Sequence, residues 1–440
     1  MPGPVIRYSL AACLFVALAV SLSAQVKVFK DFTLIDGTGS PAAANSAMIL
    51  DNGRIKWVGP VAQLKAPASA LVFDLNGRYV MPGIIDGHVH LGDTIGLDQN
   101  ADFFTRENVE KDLRTYASYG VTAVLSMGTE KDLIFAMRDQ QRTGRPREAR
   151  IFTAGQGLVF KGGYGGVVGI NHQVATDDEA RAYVDLQAAH HVDIVKLWMD
   201  DELGRLPKMP YSMAHAIIDE AHKDHLHVVA HVFYLQDAKQ LAGFGIDGFV
   251  HTVRDQPIDQ TLIDAMKQHG TWQEAATLSR EASMVAYGDP AALLNDPFFT
   301  RSLSPQVIEK LSSPSYQQGI RSNPDFSKYP QFLATAEKNF KTEVDAGIPY
   351  GCGTDSGPPR RFPGYFLHWE MELMVQAGLT PMQVLTACTR NTAEFLQASG
   401  LGTIEPGKWA DFIVLDKNPL DDIKNTRTIH AVYIAGDRFH

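Results

Sequence analysis

The chain has 440 residues, of which 45% are hydrophobic, so it can bury a large core and is not expected to be disordered. Its 40 lysines and arginines stand against 50 aspartates and glutamates, which gives a formal net charge of −10. This balance argues against nucleic acid or an anionic membrane surface as a partner, because both are themselves negatively charged. We expect a small-molecule ligand, neutral or cationic. Nothing in the sequence specifies an oligomeric state.

The first 24 residues have the pattern of a signal peptide. Arg7 lies in a short polar start, and the apolar run from Leu10 to Leu22 is followed at once by polar residues. The run is too short to predict a membrane span, and no second apolar segment of spanning length follows it, so stable membrane insertion of the mature chain is not expected. We predict an exported protein, either periplasmic or secreted.

Two cysteines, Cys352 and Cys388, follow the predicted signal peptide. They cannot build a disulfide framework and need not form even one bridge, so the fold is expected to depend on its hydrophobic core. We interpret Cys352 as a small, buried apolar side chain.

Short β-prone runs separated by turns occupy both ends of the chain. Residues 25–80 contain turn signals such as Asn76-Gly77 between apolar runs, and residues 403–440 contain two further strand-like runs. Isolated hairpins are only marginally stable. We therefore predict that the two ends together form one small composite β-sandwich domain.

Residues 81–402 alternate short apolar strands with longer amphipathic segments, which is typical of a parallel sheet wrapped by helices. The predicted strands are Val80 to Asp86, Val121 to Ser126, Ala149 to Ala154, Val192 to Leu197, His227 to His231, Gly248 to His251, Thr271 to Ala276 and Ile348 to Gly353. Eight strands favour an α/β fold of the (β/α)₈ TIM-barrel type. The segment 277–329 has five prolines and no hydrophobic period, and we predict it to be a loop that acts as a lid.

Side chains suited to metal binding recur at the carboxyl ends of these strands, where TIM-barrel active sites assemble. The candidates are His88, His90, Lys196, His231, His251 and Asp355. His88 and His90 are two residues apart on an extended segment, so their side chains point the same way and can bind one ion. An H-x-H pair alone is a weak signal, and its weight comes from the other four positions.

The segment from Val80 to His90, VMPGIIDGHVH, resembles the signature of the amidohydrolase superfamily. The resemblance covers nearly all of the mature chain, and within the superfamily it is strongest to imidazolonepropionase-like and prolidase-like members, which have a split β-sandwich around a barrel. Further matching segments are Asp193 to Lys196, Val228 to His231, Gly248 to His251, Gly353 to Asp355, Ala377 to Pro381 and Gly402 to Leu415.

This resemblance implies a metal-dependent hydrolase that cleaves an amide-type C–N bond in a dipeptide, an N-acyl amino acid or a cyclic amide. His88, His90 and Asp355 would bind one divalent ion, His231 and His251 would bind a second, and a carboxylated Lys196 would bridge the two. Zn²⁺ suits these ligands best, although Mn²⁺, Co²⁺ or Fe²⁺ would also fit. A metal-activated hydroxide would attack the carbonyl, with Asp355 as the proton shuttle.

Three alternatives remain open. An esterase or lactonase would use the same attacking group. A mononuclear deaminase would carry an acidic residue shortly after the histidine of the fifth strand, where this chain has Val232-Phe233-Tyr234-Leu235. A non-catalytic binding protein is opposed by the intact set of six candidate ligands.

Some residues near these strands have weaker signals. Tyr164, in a glycine-rich loop, is a candidate for substrate contact or a simple aromatic anchor. The acidic run Asp200-Asp201-Glu202 could select a cationic substrate group or be a solvated loop. His368 and Glu370 are interpreted as part of a solvated helix face.

Overall fold

A computed structural model describes residues 26–440, so the predicted signal peptide lies outside the described residues. The strands are β1 (Lys27–Leu34), β2 (Ala43–Asp51), β3 (Arg54–Pro60), β4 (Leu71–Asp74), β5 (Tyr79–Pro82), β6 (Ile84–Val89), β7 (Thr94–Ile95), β8 (Asp98–Gln99), β9 (Val121–Ser126), β10 (Arg150–Thr153), β11 (Leu158–Phe160), β12 (His172–Val174), β13 (Val195–Met199), β14 (Val228–Val232), β15 (Gly248–Phe249), β16 (Trp272–Gln273), β17 (Phe412–Leu415), β18 (Ile429–Ile434) and β19 (Asp437–Arg438).

The helices are α1 (Arg106–Ser118), α2 (Leu133–Arg142), α3 (Asp177–Ala189), α4 (Tyr211–Lys223), α5 (Leu235–Gly243), α6 (Gln260–His269), α7 (Leu278–Ala286), α8 (Ala291–Leu294), α9 (Pro297–Thr300), α10 (Pro305–Ser312), α11 (Pro314–Arg321), α12 (Tyr329–Asp345), α13 (Tyr365–Gln376), α14 (Pro381–Thr386) and α15 (Thr392–Phe395). A π-helical turn, Ala387–Asn391, joins the last two. Among the described residues no helix is both long and apolar enough to cross a membrane.

Strands from both ends of the described chain form one eight-stranded sheet. Its order is β19-β18-β17-β5-β1-β2-β3, with β4 paired to β1, so β17 from the C-terminal part lies between β5 and β18. Aromatic side chains from both ends pack in its core: Phe412 stacks on Tyr433 at 4.4 Å between ring centroids, and Phe29 meets Phe412 edge-on at 5.2 Å. Such pairs add to the stabilisation from buried area.

The first predicted strand, Val80 to Asp86, is divided between two sheets. β5 pairs with β17 in the terminal sheet, whereas β6 pairs in parallel with β9. The break falls at Pro82 and Gly83. Proline has no N–H to continue a ladder, and a Cβ on Gly83 would lie 2.1 Å from Thr122 Oγ1, so only glycine allows this close approach.

The remaining long strands are parallel, which confirms the α/β class. β10-β9-β6 form one sheet and β12-β11-β13-β14-β15-β16 form another, and isolated parallel bridges connect Val89 to Ser356 and Gln273 to Tyr350. The eighth predicted strand, Ile348 to Gly353, is wrong as a regular strand, because only Tyr350 forms a bridge there. The three segments β11, β12 and the β7–β8 hairpin were not predicted.

The segment 277–329 is helical, so the expectation of a loop without regular structure is wrong. It contains α7 to α11, and Pro297, Pro305 and Pro314 each occupy the first turn of a helix, behind an Asp or Ser cap. Proline is favoured there because its missing N–H would have no intrahelical partner. Phe299 and Leu311 from this segment are buried against Tyr119 and Phe366, which anchors it to the rest of the fold.

Cys352 and Cys388 form a disulfide, with Sγ atoms 2.07 Å apart. Cys352 is buried as predicted, but the bridge corrects its interpretation as simply a small apolar side chain. The bridge links the segment that leads to Asp355 with the π-helical turn, and both cysteines are buried. Two cysteines 36 residues apart give no pairing signal in the sequence, because pairing depends on how the chain returns to the same place.

Candidate metal centre

Main-chain hydrogen bonds bring Asp355 beside His88, which lies in β6, and His90, which directly follows it. Asp355 N donates to His88 O at 2.7 Å, and His90 N donates to Ser356 O at the same distance. As a result Asp355 Oδ1 lies 3.0 Å from His90 Nε2 and 3.7 Å from His88 Nε2. One ligand atom from each of these buried residues lies within 4.8 Å of the others, a spacing that suits one metal ion.

Three of the imidazoles are fixed through Nδ1. His88 Nδ1 lies 3.1 Å from Val250 O, His90 Nδ1 lies 3.0 Å from Thr129 Oγ1, and His251 Nδ1 lies 2.7 Å from Thr277 Oγ1. Partners of this kind set the ring orientation and leave Nε2 for a metal. Burial holds the pKa of His88 and of His251 well below the usual value, so both rings are neutral, which is the form that ligates a metal.

Two of these nitrogens are conspicuous because His88 Nε2 and His251 Nε2 are buried and have no hydrogen-bond partner among residues 26–440. Buried polar atoms of native proteins normally have partners. The two rings lie 5.0 Å apart between centroids. A bound cation would satisfy both atoms, so the donor set fits the metal that the motif predicts.

His231 stands next to His251, with ring centroids 4.1 Å apart. Its Nε2 lies 2.9 Å from Asp200 Oδ2, so Nδ1 is the ring nitrogen left for a metal. Burial would raise the pKa of Asp200, but the contact with His231 and the nearby Arg254 hold it well below its usual range. Asp200 therefore acts on the imidazole as an ionised partner.

Lys196 lies in β13 and is completely buried. Its Nζ has Met127 Sδ at 3.9 Å and forms no ion pair with a carboxylate among the described residues. Burial lowers the pKa of this ammonium to about 7, although the charge of Asp355 acts to raise it. A neutral amine is the form that can react with carbon dioxide, so the environment suits the predicted modification.

The glycine of the D-G-H-V-H motif has a packing role. A Cβ on Gly87 would lie 2.0 Å from Glu274 Oε1, so the Glu274 carboxyl group occupies that space. Both of its oxygens are buried without a partner among the described residues, and burial raises its pKa well above the usual value. Glu274 therefore stays protonated beneath the metal ligands.

The second oxygen of Asp355 faces two arginines that sequence reasoning missed. Arg280 Nε lies 3.1 Å from Asp355 Oδ2, and Arg361 Nη1 binds the same oxygen. Burial alone would raise the pKa of Asp355, but Arg361 and the contact with His90 hold it well below its usual value. The carboxylate is therefore ionised. The only sequence signal was the position of each arginine after a predicted strand, Thr271 to Ala276 for Arg280 and Ile348 to Gly353 for Arg361.

Tyr164 is at the site, with its ring 5.2 Å from that of His231. The surrounding glycines have a structural purpose, since a Cβ on Gly157 or Gly165 would lie within 2.5 Å of the Trp198 ring. The loop thus packs against the Trp198 indole, which larger residues at these glycine positions would displace. Substrate contact by the Tyr164 hydroxyl stays a prediction.

The acidic run after β13 is already paired within the protein. Besides the contact of Asp200 with His231, Asp201 Oδ1 accepts a hydrogen bond from the Tyr234 hydroxyl at 2.7 Å, and Glu202 pairs with Arg205 at 3.1 Å. Each carboxylate thus has a partner inside the protein, and selection of a cationic substrate group by this run stays a prediction.

The helix after Asp355 also differs from expectation, because His368 and Glu370 are buried rather than solvated. Glu370 accepts hydrogen bonds from Leu278 N at 2.9 Å and Ser279 N at 2.7 Å, so it caps α7, the helix that carries Arg280. A carboxylate at a helix N-terminus satisfies N–H groups that have no intrahelical partner.

Comparison with known proteins agrees with this site. A family model described as the amidohydrolase family matches residues 79–438, which is most of the chain. The chain belongs to the amidohydrolase family. It is accordingly a metal-dependent hydrolase acting on C–N bonds, and the fold of its family implies a TIM barrel with a β-rich domain.

This amidohydrolase is similar to imidazolonepropionases. It is 24% identical to that of Deinococcus deserti over 411 residues, covering 90% of this chain and 92% of the relative. It is 25% identical to that of Ruegeria pomeroyi over 412 residues, covering 88% and 93%. A solved Xaa-Pro dipeptidase with methionine in its active site has the same fold, with a TM-score of 0.74, 20% identity and coverage of 94% and 100%. The amidohydrolase is thus similar in sequence to imidazolonepropionases and shares its fold with the solved dipeptidase.

Proposed function

We propose that this amidohydrolase cleaves an amide-type C–N bond in a dipeptide, an N-acyl amino acid or a cyclic amide. The observation that carries the proposal is the buried cluster of His88, His90 and Asp355, whose ligand atoms lie within 4.8 Å of one another. Together with the free Nε2 atoms of His88 and His251, it supports a centre built to hold cations rather than a set of packed polar residues.

Six residues are assigned as ligands. His88, His90 and Asp355 would hold one ion, His231 and His251 a second, and Lys196, once carboxylated, would bridge them. Zn²⁺ is the proposed metal because imidazole and carboxylate oxygen are among its preferred ligands. A divalent metal bound there supplies Lewis acidity, which acidifies a water molecule and polarises the scissile carbonyl.

The protein's own residues position and move the proton. Asp355 is ionised and faces the ligand histidines through Oδ1, so it can accept a proton from the attacking water. The same carboxyl group then donates that proton to the leaving nitrogen. Tyr164, whose ring lies beside that of His231, is proposed to contact the substrate through its hydroxyl. We propose that the strands carrying these residues close into an eight-stranded barrel, and that the segment 277–329 covers its mouth.

A mononuclear centre is the second candidate. Only three of the predicted ligands form the tight cluster, and His231 Nε2 is engaged by Asp200. Metal analysis of the purified protein separates the two. Two equivalents of metal per chain support the binuclear enzyme, one equivalent supports the mononuclear form, and a protein that binds no metal and ignores chelators contradicts the proposal.

The substrate class is tested by a screen of the metal-loaded protein. Dipeptides, N-acyl amino acids, cyclic amides, esters and lactones are assayed side by side, with chelated protein as the control. Turnover of amides above that of matched esters supports the proposed bond type. Hydrolysis of esters or lactones alone would move the protein to the esterase or lactonase alternative.

We also propose that the protein is exported, to the periplasm or beyond. The pattern of residues 1–24 and the buried disulfide between Cys352 and Cys388 support this, because disulfides persist in oxidising compartments. N-terminal sequencing of the mature protein tests the proposal. A start near residue 25 is expected, and a retained Met1 would contradict it.

A further inference from the structure

Three arginines lie together beside Asp355. Arg280 and Arg361 both contact Asp355 Oδ2, and Arg254 Nε lies 3.0 Å from Glu281 Oε1, which also pairs with Arg280. The side chains of Arg254, Arg280 and Arg361 are 3%, 10% and 19% exposed. Arg361 is therefore the most accessible member of a nearly buried cluster.

Asp355 is shared between the arginines and the candidate metal site, because Oδ2 faces Arg280 and Arg361 while Oδ1 faces the histidines. Arg254 and Arg280 also have Glu281, and Arg254 is near Asp200, whose Oδ2 is engaged by His231. Asp355 is the one carboxylate with which Arg361 pairs among residues 26–440. The guanidinium group of Arg361, the most exposed of the three, can therefore take a second anionic partner besides Asp355.

Hydrogen bonds fix the main-chain segments that carry Arg280 and Arg361. Arg280 lies in α7, whose first N–H groups are capped by Glu370. Arg361 ends a tight turn in which Arg361 N donates to Pro358 O at 3.0 Å and Gly357 N donates to Arg361 O at 2.7 Å. Groups fixed in advance lose little conformational freedom when they bind a ligand.

We propose that Arg280 and Arg361 form a subsite for a carboxylate of the substrate. This proposal rests on the proposed function and narrows its substrate class. The planar guanidinium fork matches a carboxylate in a bidentate arrangement. Because both arginines touch the residue assigned to proton transfer, the carboxylate lies a few bonds from the scissile nitrogen. Dipeptides and N-acyl amino acids with a free carboxylate meet this requirement, and uncharged cyclic amides do not.

The kinetic test compares acids with their amides. N-acetyl-L-methionine, N-acetyl-L-phenylalanine and glycyl-L-proline are each assayed beside the corresponding C-terminal primary amide, using metal-loaded protein. We expect kcat/KM to favour the acids by about a hundredfold or more, because loss of a charged partner leaves the site's polar groups unpaired. In Arg361→Gln this ratio should fall below about tenfold, and Arg361→Lys should recover part of it.

The ratio is measured within each variant, so any change that Arg361→Gln causes at Asp355 affects acid and amide alike. Arg205→Gln is the matched control, since Arg205 pairs with Glu202 and Asp325 and does not contact Asp355. It should keep the wild-type ratio. Thermal unfolding of every variant checks that the fold is retained.

A binding test needs no turnover. Benzoate and benzamide are titrated by calorimetry into metal-loaded wild-type and Arg361→Gln protein. Benzoate should bind the wild type and weaken at least about tenfold in the variant, following the loss of a charge-assisted contact. Equal benzoate affinity in both proteins would overturn the subsite, because the carboxylate would then bind the metal alone. Equal turnover of acids and amides would overturn it as well, while leaving the hydrolase function intact. If no pair is hydrolysed, the proposed substrate class fails, and benzoate still decides the subsite.

Discussion

Asp200 Oδ2 and His231 Nε2 are 2.9 Å apart, and this contact joins the loop after β13 to the carboxyl end of β14. The ionised carboxylate fixes both the tautomer and the direction of the imidazole, which presents Nδ1 to the centre. Asp200 is thus a positioning residue for a predicted metal ligand, and its effect should be visible in metal affinity.

Replacing Asp200 with alanine should weaken metal binding by about 10- to 100-fold, the usual effect of losing a partner of a ligating histidine. Competition with a chromogenic chelator measures the affinity. Asp201→Ala is the matched control, because Asp201 bonds the Tyr234 hydroxyl and no predicted ligand. Equal affinities of the two variants would contradict the positioning role.

Lys196→Ala should bind one equivalent of metal fewer than the wild type, because the predicted bridging ligand is lost. Elemental analysis after dialysis gives the stoichiometry. Lys208→Ala, which removes a lysine that pairs with Asp237, should keep the wild-type metal content. A full metal complement in Lys196→Ala would rule out the bridging role.

Asp355→Asn should lose about 10²- to 10⁴-fold in kcat, since an amide cannot take up the proton of the attacking water. The variant should still bind metal, because His88 and His90 remain and the amide oxygen can ligate. Metal content and steady-state kinetics are measured on the same preparation. Unchanged turnover would refute the role in proton transfer.

Glu343 offers a test of stability against pH. It is 1% exposed, its carboxyl oxygens have no partner among the described residues, and burial raises its pKa to about 8 from the usual 4.5. As the pH rises from about 4.5 to 8, the unfolded chain releases this proton and the folded chain keeps it, so the wild type loses about 1.4 kcal/mol of stability per pH unit from this group.

Glu343→Gln removes that dependence, so its gain in stability over the wild type should be larger at pH 8 than at pH 5. Urea unfolding at the two values measures the difference. Glu309→Gln, at an exposed position of α10, is the control and should change stability little at either pH. A gain that is the same at both values would show that Glu343 titrates normally.

Removing the disulfide should destabilise the protein. The Cys352→Ser, Cys388→Ser double variant is expected to lose about 2–4 kcal/mol of unfolding free energy, because the unfolded chain is no longer constrained by the crosslink. Denaturant unfolding of the variant and of the oxidised wild type measures this. Stability unchanged by the substitutions, or free thiols found by alkylation of the wild type, would contradict the bridge.

The sequence predicts those site residues whose role is evident from their immediate neighbours in the chain. His88 and His90 could be found because the motif holds both on one short extended segment, and Lys196 because a lysine in an apolar run needs an explanation. The parallel α/β order could be predicted because each strand has its own apolar signature. Asp355 could be found as a candidate because it follows the eighth predicted strand, but its assignment to the ion of His88 and His90 came from the resemblance, since only backbone contacts with His88 bring it there.

The missed features all depend on contacts between distant segments. Cys352 and Cys388 pair only because the π-helical turn returns to the strand region, and Glu370 is buried because the N-terminus of α7 needs a cap. Helices of four to nine residues in the segment 277–329 are too short for a hydrophobic period to emerge. The role of Arg280 is evident only from its contact with Asp355, which lies 75 residues later in the chain.

The position of β17 between β5 and β18 affects the order in which the parts of the chain can fold. β5 runs directly into β6, the strand that delivers His88, yet one edge of β5 has its partner only when Phe412–Leu415 has been synthesised. Contacts between such distant segments form late in folding. A nascent chain therefore cannot complete the pairing of β5, which leads into the strand that carries His88, until β17 has left the ribosome. C-terminal truncations that remove β17 should lose metal binding along with the terminal sheet.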